Sequence, residues 1–92
     1  MNEKKKIVLD LQHVKVEQEI DKFVEMDLSK LIGNEVHQRA GDIGLDDKAR
    51  ELYHNGKVEL TEEMRNMIKG IVANSDLVFY IKKAVIEEID KV

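Results

Sequence analysis

The chain has 92 residues, 15 of them basic and 19 acidic, for a formal charge of -4. That is one domain's worth of chain, with a thin core. Cysteine is absent, which excludes disulfides, thiolate metal sites and a cysteine nucleophile. Tryptophan is also absent and aromatic content is 4%, so Leu, Ile, Val and Met must fill the core.

The N-terminus carries Lys4, Lys5 and Lys6, read as a solvated basic tail over residues 1–6. Ile7-Val8-Leu9 follows, and Asp10 ends the apolar run. It is too short for a signal peptide. No stretch approaches the ~20 apolar residues of a membrane span. The expectation is a single cytoplasmic domain over 1–92.

Residues 7–26 have two readings. Ile7, Leu9 and Leu11 alternate with Val8, Asp10 and Gln12, as in a strand. Val14, Val16, Phe23, Val24 and Met26 supply a second strand, giving a hairpin. Val16, Ile20, Phe23 and Val24 also share a helical stripe. A hairpin here needs helices to pack on, since it is marginal alone.

Residues 28–92 read as helical. Leu28, Leu31, Ile32 and Val36 form one face, with Asp27 or Ser29 near the start and Glu35–Arg39 as an i, i+4 pair. Gly41 and Gly44 punctuate the chain. Asp46 or Asp47 opens a short helix burying Leu45, Ala49, Leu52 and Tyr53, closed by Gly56 in the left-handed position. Lys57-Val58-Glu59-Leu60 is an extended connector or short strand. Thr61 caps a helix with Glu62 and Glu63 in its first turn and Met64, Met67, Ile68, Ile71 and Val72 on one face. It stops near Asn74. Asp76 or Ser75 caps the last helix, with Leu77, Val78, Ile81, Ala84, Val85 and Ile89 on one stripe. So short a turn makes the last two helices an antiparallel pair. The fold class is α+β, mostly α: an N-terminal hairpin (or helix) on about four short helices.

No reactive constellation emerges. His13, His37 and His54 share no helical metal spacing, and zinc on His37 plus His54 needs a converging carboxylate. Asp42-Ile43-Gly44-Leu45-Asp46-Asp47 fails the calcium-loop register, with glycine third instead of sixth. Phosphate-binding and nucleophile-elbow motifs are missing. Glu62-Glu63 and Glu87-Glu88 are adjacent, so they point about 100° apart on a helix and read as solvated faces. A helix-turn-helix from 46–55 and 62–74 has too long a connection, and Glu62 and Glu63 open its second helix. No enzyme, cofactor, metal or small-molecule ligand is expected.

One surface feature remains. On the last helix Phe79 and Ile86 lie seven residues apart, nearly opposite the apolar stripe. Lys82 and Lys83 also fall off the stripe. Two large apolar residues there form a seam that is either covered by the hairpin or meets a partner. Either way, this helix is expected to be the most heavily buried element.

The runs Asp27-Leu28-Ser29-Lys30, Leu31-Ile32-Gly33-Asn34, Ala49-Arg50-Glu51-Leu52-Tyr53-His54 and Gly56-Lys57-Val58-Glu59-Leu60-Thr61-Glu62-Glu63 resemble small uncharacterised proteins encoded in phages and prophages. The likeness covers the central and C-terminal parts. Its motifs are a C-cap glycine and an N-cap threonine, and it implies no activity and no residue roles. It does imply a phage assembly, regulatory or host-interaction setting. The resulting expectation is a non-enzymatic protein-interaction domain acting through a partner or a homo-oligomer, with Phe79, Ile86, Lys82 and Lys83 as its surface. The rival is a nucleic-acid-associated regulator using Lys4–Lys6 with Lys82 and Lys83, which the acidic charge disfavours.

Overall fold

A computed structural model describes residues 7–92; the basic tail expected at 1–6 lies outside them. In order the elements are β1 (Ile7–Asp10), β2 (Val14–Glu19), β3 (Lys22–Met26), α1 (Ser29–Arg39), α2 (Ile43–Asn55), β4 (Lys57–Leu60), α3 (Glu62–Ala73) and α4 (Phe79–Asp90). The architecture is α+β and mostly helical, with an N-terminal hairpin.

The hairpin is β2–β3. β1 pairs instead with β4, antiparallel, with Ile7 opposite Leu60 and Leu9 opposite Val58. Hydrogen bonds at Gln12 and Leu11 explain the split. Gln12 N donates to Asp10 Oδ1 at 2.9 Å, turning the chain. Leu11 N then donates to Gly56 O at 3.1 Å, and Leu11 O accepts from Leu28 N at 2.9 Å. Leu11 is therefore bonded on both sides and fully buried, which ends β1 against β4 before β2 begins. The alternation in the first strand holds: Leu9 and Leu11 are buried, Val8 and Asp10 exposed.

Several helix ends have a local cause. Asp27 Oδ1 accepts from Ser29 N at 3.0 Å and Ser29 Oγ at 2.6 Å, starting α1. Leu28, Ile32 and Val36 then point inward, while Leu31 is exposed. α2 starts earlier than the expected Asp46 or Asp47. Asp42 is its N-cap, accepting from Leu45 N at 2.8 Å, and Gly44 lies within the first turn. At its other end Gly56 takes φ 78° and donates to Leu52 O at 2.9 Å. A Cβ there would meet Gln12 Cγ at 2.4 Å, so sterics and φ both require glycine. Thr61 caps α3, its hydroxyl accepting from Met64 N at 3.2 Å.

α4 does not begin at Asp76 or Ser75. Ser75 Oγ donates to Val72 O at 2.7 Å and accepts weakly from Leu77 N at 3.4 Å. Its hydroxyl is occupied closing α3, so residues 74–78 form a connector. α4 starts at Phe79 without a side-chain cap. The last two helices are nonetheless an antiparallel pair. Arg65, in the first turn of α3, donates to Val92 O at 2.6 Å, and Lys69 Nζ meets Asp90 Oδ1 at 2.6 Å.

The core is aliphatic throughout and receives residues from every element except β3. β2 contributes Val14 and Val16, and α4, which packs on β2, contributes Ile81, Ala84, Val85 and Ile89. α1 and α2 form a close pair. A Cβ on Gly33 would come within 3.0 Å of both Ala49 O and Tyr53 Cβ. α4 buries four residues and half-buries four more; α1 also buries four.

Candidate functional site

The hairpin turn is built by Glu17. β2 carries one extra residue between Glu17 and Glu19, against the continuous pair Phe23 and Lys22. The loop closes with Asp21 in the left-handed region at φ 62°, a conformation aspartate tolerates. Glu17 Oε2 accepts from Asp21 N at 2.8 Å, and Glu17 Oε1 lies 3.6 Å from Lys83 Nζ. One carboxylate thus fixes the turn and ties it to α4. Phe23 is thereby set opposite the first turn of α4.

Between hairpin and helix lies an open groove of about 340 Å³. Its apolar lining is Ile20, Phe23, Phe79 and Tyr80, with Ala84 among the helix residues. Ile20 is 87% exposed, Phe23 61% and Phe79 74%. Both phenylalanines of the chain therefore sit in water. Charged residues of both signs line the same groove: Lys15 and Lys83 against Glu17, Glu19 and Glu87.

The four residues expected on this helix separate. Phe79 and Lys83 line the groove. Ile86 is half-buried against the core, and Lys82 is half-buried; neither lines the groove. The i, i+7 seam is thus not one exposed stripe. Its N-terminal residue Phe79 is open and its C-terminal residue Ile86 is packed against the core.

Ile20 and Phe23 were not among the expected surface residues. A signal for them was present. Phe23 and Val24 are neighbours in a strand, so they point to opposite faces, and a two-stranded hairpin packed on one side buries at most one of them. A bulky β-branched residue at a turn tip, Ile20, has no conformational reason to be there.

A second, smaller groove of about 170 Å³ runs between α1 and α2, lined by residues including His37, Arg50, Tyr53 and His54. His37 Nδ1 is hydrogen-bonded to Asp46 Oδ1, and Arg50 Nε donates to Asp46 Oδ2 at 3.0 Å. Those two bonds hold the Asp46 carboxyl below its ordinary range. His54 meets the Tyr53 ring edge-on at 5.2 Å, and Lys30 Nζ lies 4.3 Å from that ring's centroid. Both histidines reach one groove, yet only Asp46 joins His37. Among the described residues, no three His, Cys, Asp or Glu side chains gather as a metal site would need. Asp42, the first position of the rejected calcium loop, is engaged as a helix cap. β4 separates α2 from α3, so residues 46–55 and 62–74 do not form a helix-turn-helix.

Comparison with protein-family models, with curated proteins and with solved structures finds no match. Among the described residues no helix is long and apolar enough to cross a membrane.

Proposed function

We propose that this chain is a non-enzymatic protein-interaction domain whose contact face is the groove between the β2–β3 tip and the first turn of α4. One observation carries the reading. Ile20, Phe23 and Phe79 come from two separate elements, converge on one groove, and are all left in water. Large contiguous apolar surface on a small domain marks a contact site. Exposed aromatics ringed by mixed charge are the composition of interface anchors.

The partner is protein. Acidic groups outnumber basic ones around the groove, and Lys83 is already engaged by Glu17, so a phosphate backbone gains little there. The resemblance of residues 27–63 to phage and prophage proteins makes assembly or host interaction the setting of this reading.

The test is site-specific photocrosslinking in the native host. A benzophenone amino acid replaces Phe79 in one variant and Glu63, exposed on α3, in another. A discrete protein adduct at position 79 and none at 63 is expected. No adduct at 79, with the variant folded and present at wild-type level, would refute the reading.

A further inference from the structure

We infer that the groove between α1 and α2 is a binding site for a single phosphoryl group, separate from the contact face at the hairpin. The chain carries 19 acidic residues and a formal charge of -4, yet no Asp or Glu lines this groove. Its polar lining is Asn34 and His37 from α1 with Arg50, Tyr53 and His54 from α2. The hairpin groove, by contrast, is lined by three glutamates. Helical spacing explains both rows: residues three and four apart share a face, as 34 and 37 do on α1, and 50, 53 and 54 on α2. Gly33 lets the two faces approach, since a Cβ there would stand 3.0 Å from Ala49 O and Tyr53 Cβ.

Asp46, which is not part of the lining, positions two of the donors. One of its carboxylate oxygens is bonded to His37 Nδ1 and the other accepts from Arg50 Nε at 3.0 Å. An ionised carboxylate only accepts, so Nδ1 is the donor in that pair. In the imidazolium form Nε2 donates as well, and that second N–H is left for an anion. Among the described residues Arg50 is bonded only through Nε, which leaves both terminal nitrogens of its guanidinium. The Asn34 amide and the His54 ring donate to no group among the described residues. Lys30 Nζ, 4.3 Å from the Tyr53 ring centroid, adds positive charge beside the groove. Asp46 offsets Arg50, so Lys30 and an imidazolium leave the site net positive. A divalent cation on the two histidines would be repelled by Arg50 and Lys30, whereas an anion is attracted. The free donors come from two helices, which suits the several oxygens of a tetrahedral phosphoryl group. A planar carboxylate would be satisfied by the Arg50 fork alone. At about 170 Å³ the groove admits one such group, and its open side lets an ester substituent pass into solvent.

The probe is inorganic phosphate, titrated into the full chain at fixed pH and ionic strength so that screening stays constant. The three histidine rings are followed by NMR. His37 and His54 report on the groove, and His13, paired with Glu25 on β3, is the internal control. Saturable shifts at His37 and His54, half-complete at or below ~10 mM, are expected with His13 unmoved. Arg50→Gln should weaken binding about tenfold or more, because charge-assisted bonds are the strong ones. Arg50→Lys keeps the charge without the fork and should fall between the two. His54→Gln, at an exposed ring with no hydrogen bond to lose, is the second groove variant and should weaken binding several-fold. Lys22→Gln removes the same charge from exposed β3 and should leave binding unchanged. A thermal melt of each variant checks its fold. Glycerol phosphate in a parallel titration separates the sources of the group. Tighter binding than inorganic phosphate identifies a phosphate ester as the ligand, and weaker binding identifies the free ion. Absence of saturable shifts overturns the inference, as do equal shifts at all three histidines. So does wild-type affinity in both folded groove variants, or acetate binding as tightly as phosphate.

Discussion

Replacing Phe79 by aspartate separates a surface role from a core role. A phenylalanine buries about 150–250 Å² when fully enclosed. Phe79 is 74% exposed, so about a quarter of that area, roughly 40–65 Å², leaves water on folding. At ~25 cal/mol per Å² the lost burial is about 1–1.6 kcal/mol. An acidic side chain in the first turn of α4 recovers about 0.3–1 kcal/mol from the helix dipole. The net cost is then about 1 kcal/mol or less, a fall in Tm of no more than ~4–8 °C for a domain this size. Ile89→Ala on the same helix is the contrast. Ile89 is fully buried, and its truncation should cost about 2–5 kcal/mol. Both variants are melted at low protein concentration, so that association adds nothing to the wild-type value. Phe79→Asp should retain a cooperative transition near that of the wild type and lose the contacts made through position 79. A loss as large as that of Ile89→Ala would show that Phe79 supports the fold of the single copy, and the groove reading would fall with it.

Two helical glycines should respond with opposite sign to alanine. Gly70→Ala meets nothing within 4 Å and should raise stability in urea by up to ~1 kcal/mol, whereas Gly33→Ala drives a Cβ to 3.0 Å from Ala49 O and Tyr53 Cβ and should lower it despite the better helix propensity. Gly56→Ala should cost at least ~1–2 kcal/mol by denaturant titration, from the left-handed φ together with the displacement of Gln12. Asp46 and Asp27 have folded-state pKa values depressed below 3.8, Asp46 chiefly by its bond from His37 and Asp27 chiefly by its bond from Ser29. A depressed carboxyl stabilises the fold above the unfolded value and loses that contribution as pH falls through the folded one. Stability should therefore drop below about pH 4, and Asp46→Asn and Asp27→Asn should each flatten that acid limb; an unchanged limb in both variants would contradict the assignment.

Sequence reading recovered the elements whose causes are local. Thr61, Gly56 and Asp27 mark helix ends because each acts through a bond no more than four residues away. The antiparallel closing pair was legible from the short connection, and the buried face of the first strand from its alternation. The failures were non-local or competitive. Nothing in Ile7–Asp10 reveals that its partner is Lys57–Leu60 rather than the next strand, since that choice is made by Leu11 bonding Gly56 and Leu28. Asp76 or Ser75 was expected to cap α4, yet the Ser75 hydroxyl is taken by Val72 and α4 starts only at Phe79. Of the contact face, Phe79 and Lys83 were visible as off-stripe residues. Ile20 and Phe23 were hidden because the ambiguity between hairpin and helix placed them on a stripe that either reading could have buried.

The hairpin itself gives the strongest reason to read that face as selected for contact. An isolated two-stranded hairpin is marginal in water, and this one is held by Val14 and Val16 under α4 and by the two bonds of Glu17. The fold therefore needs β2 and the turn. It needs little of β3 beyond a partner for the β2 backbone, and polar residues would serve that purpose as well. Three large apolar residues nonetheless occupy the exposed hairpin tip and strand, Ile20, Phe23 and Val24, and Phe79 of α4 lines one groove with Ile20 and Phe23. In a chain whose core contains no aromatic residue, fully burying such a side chain instead of leaving it exposed is worth about 1.5–3 kcal/mol. Two phenylalanines placed outside that core forgo this stabilisation in the single copy, and recover it only when something else covers them.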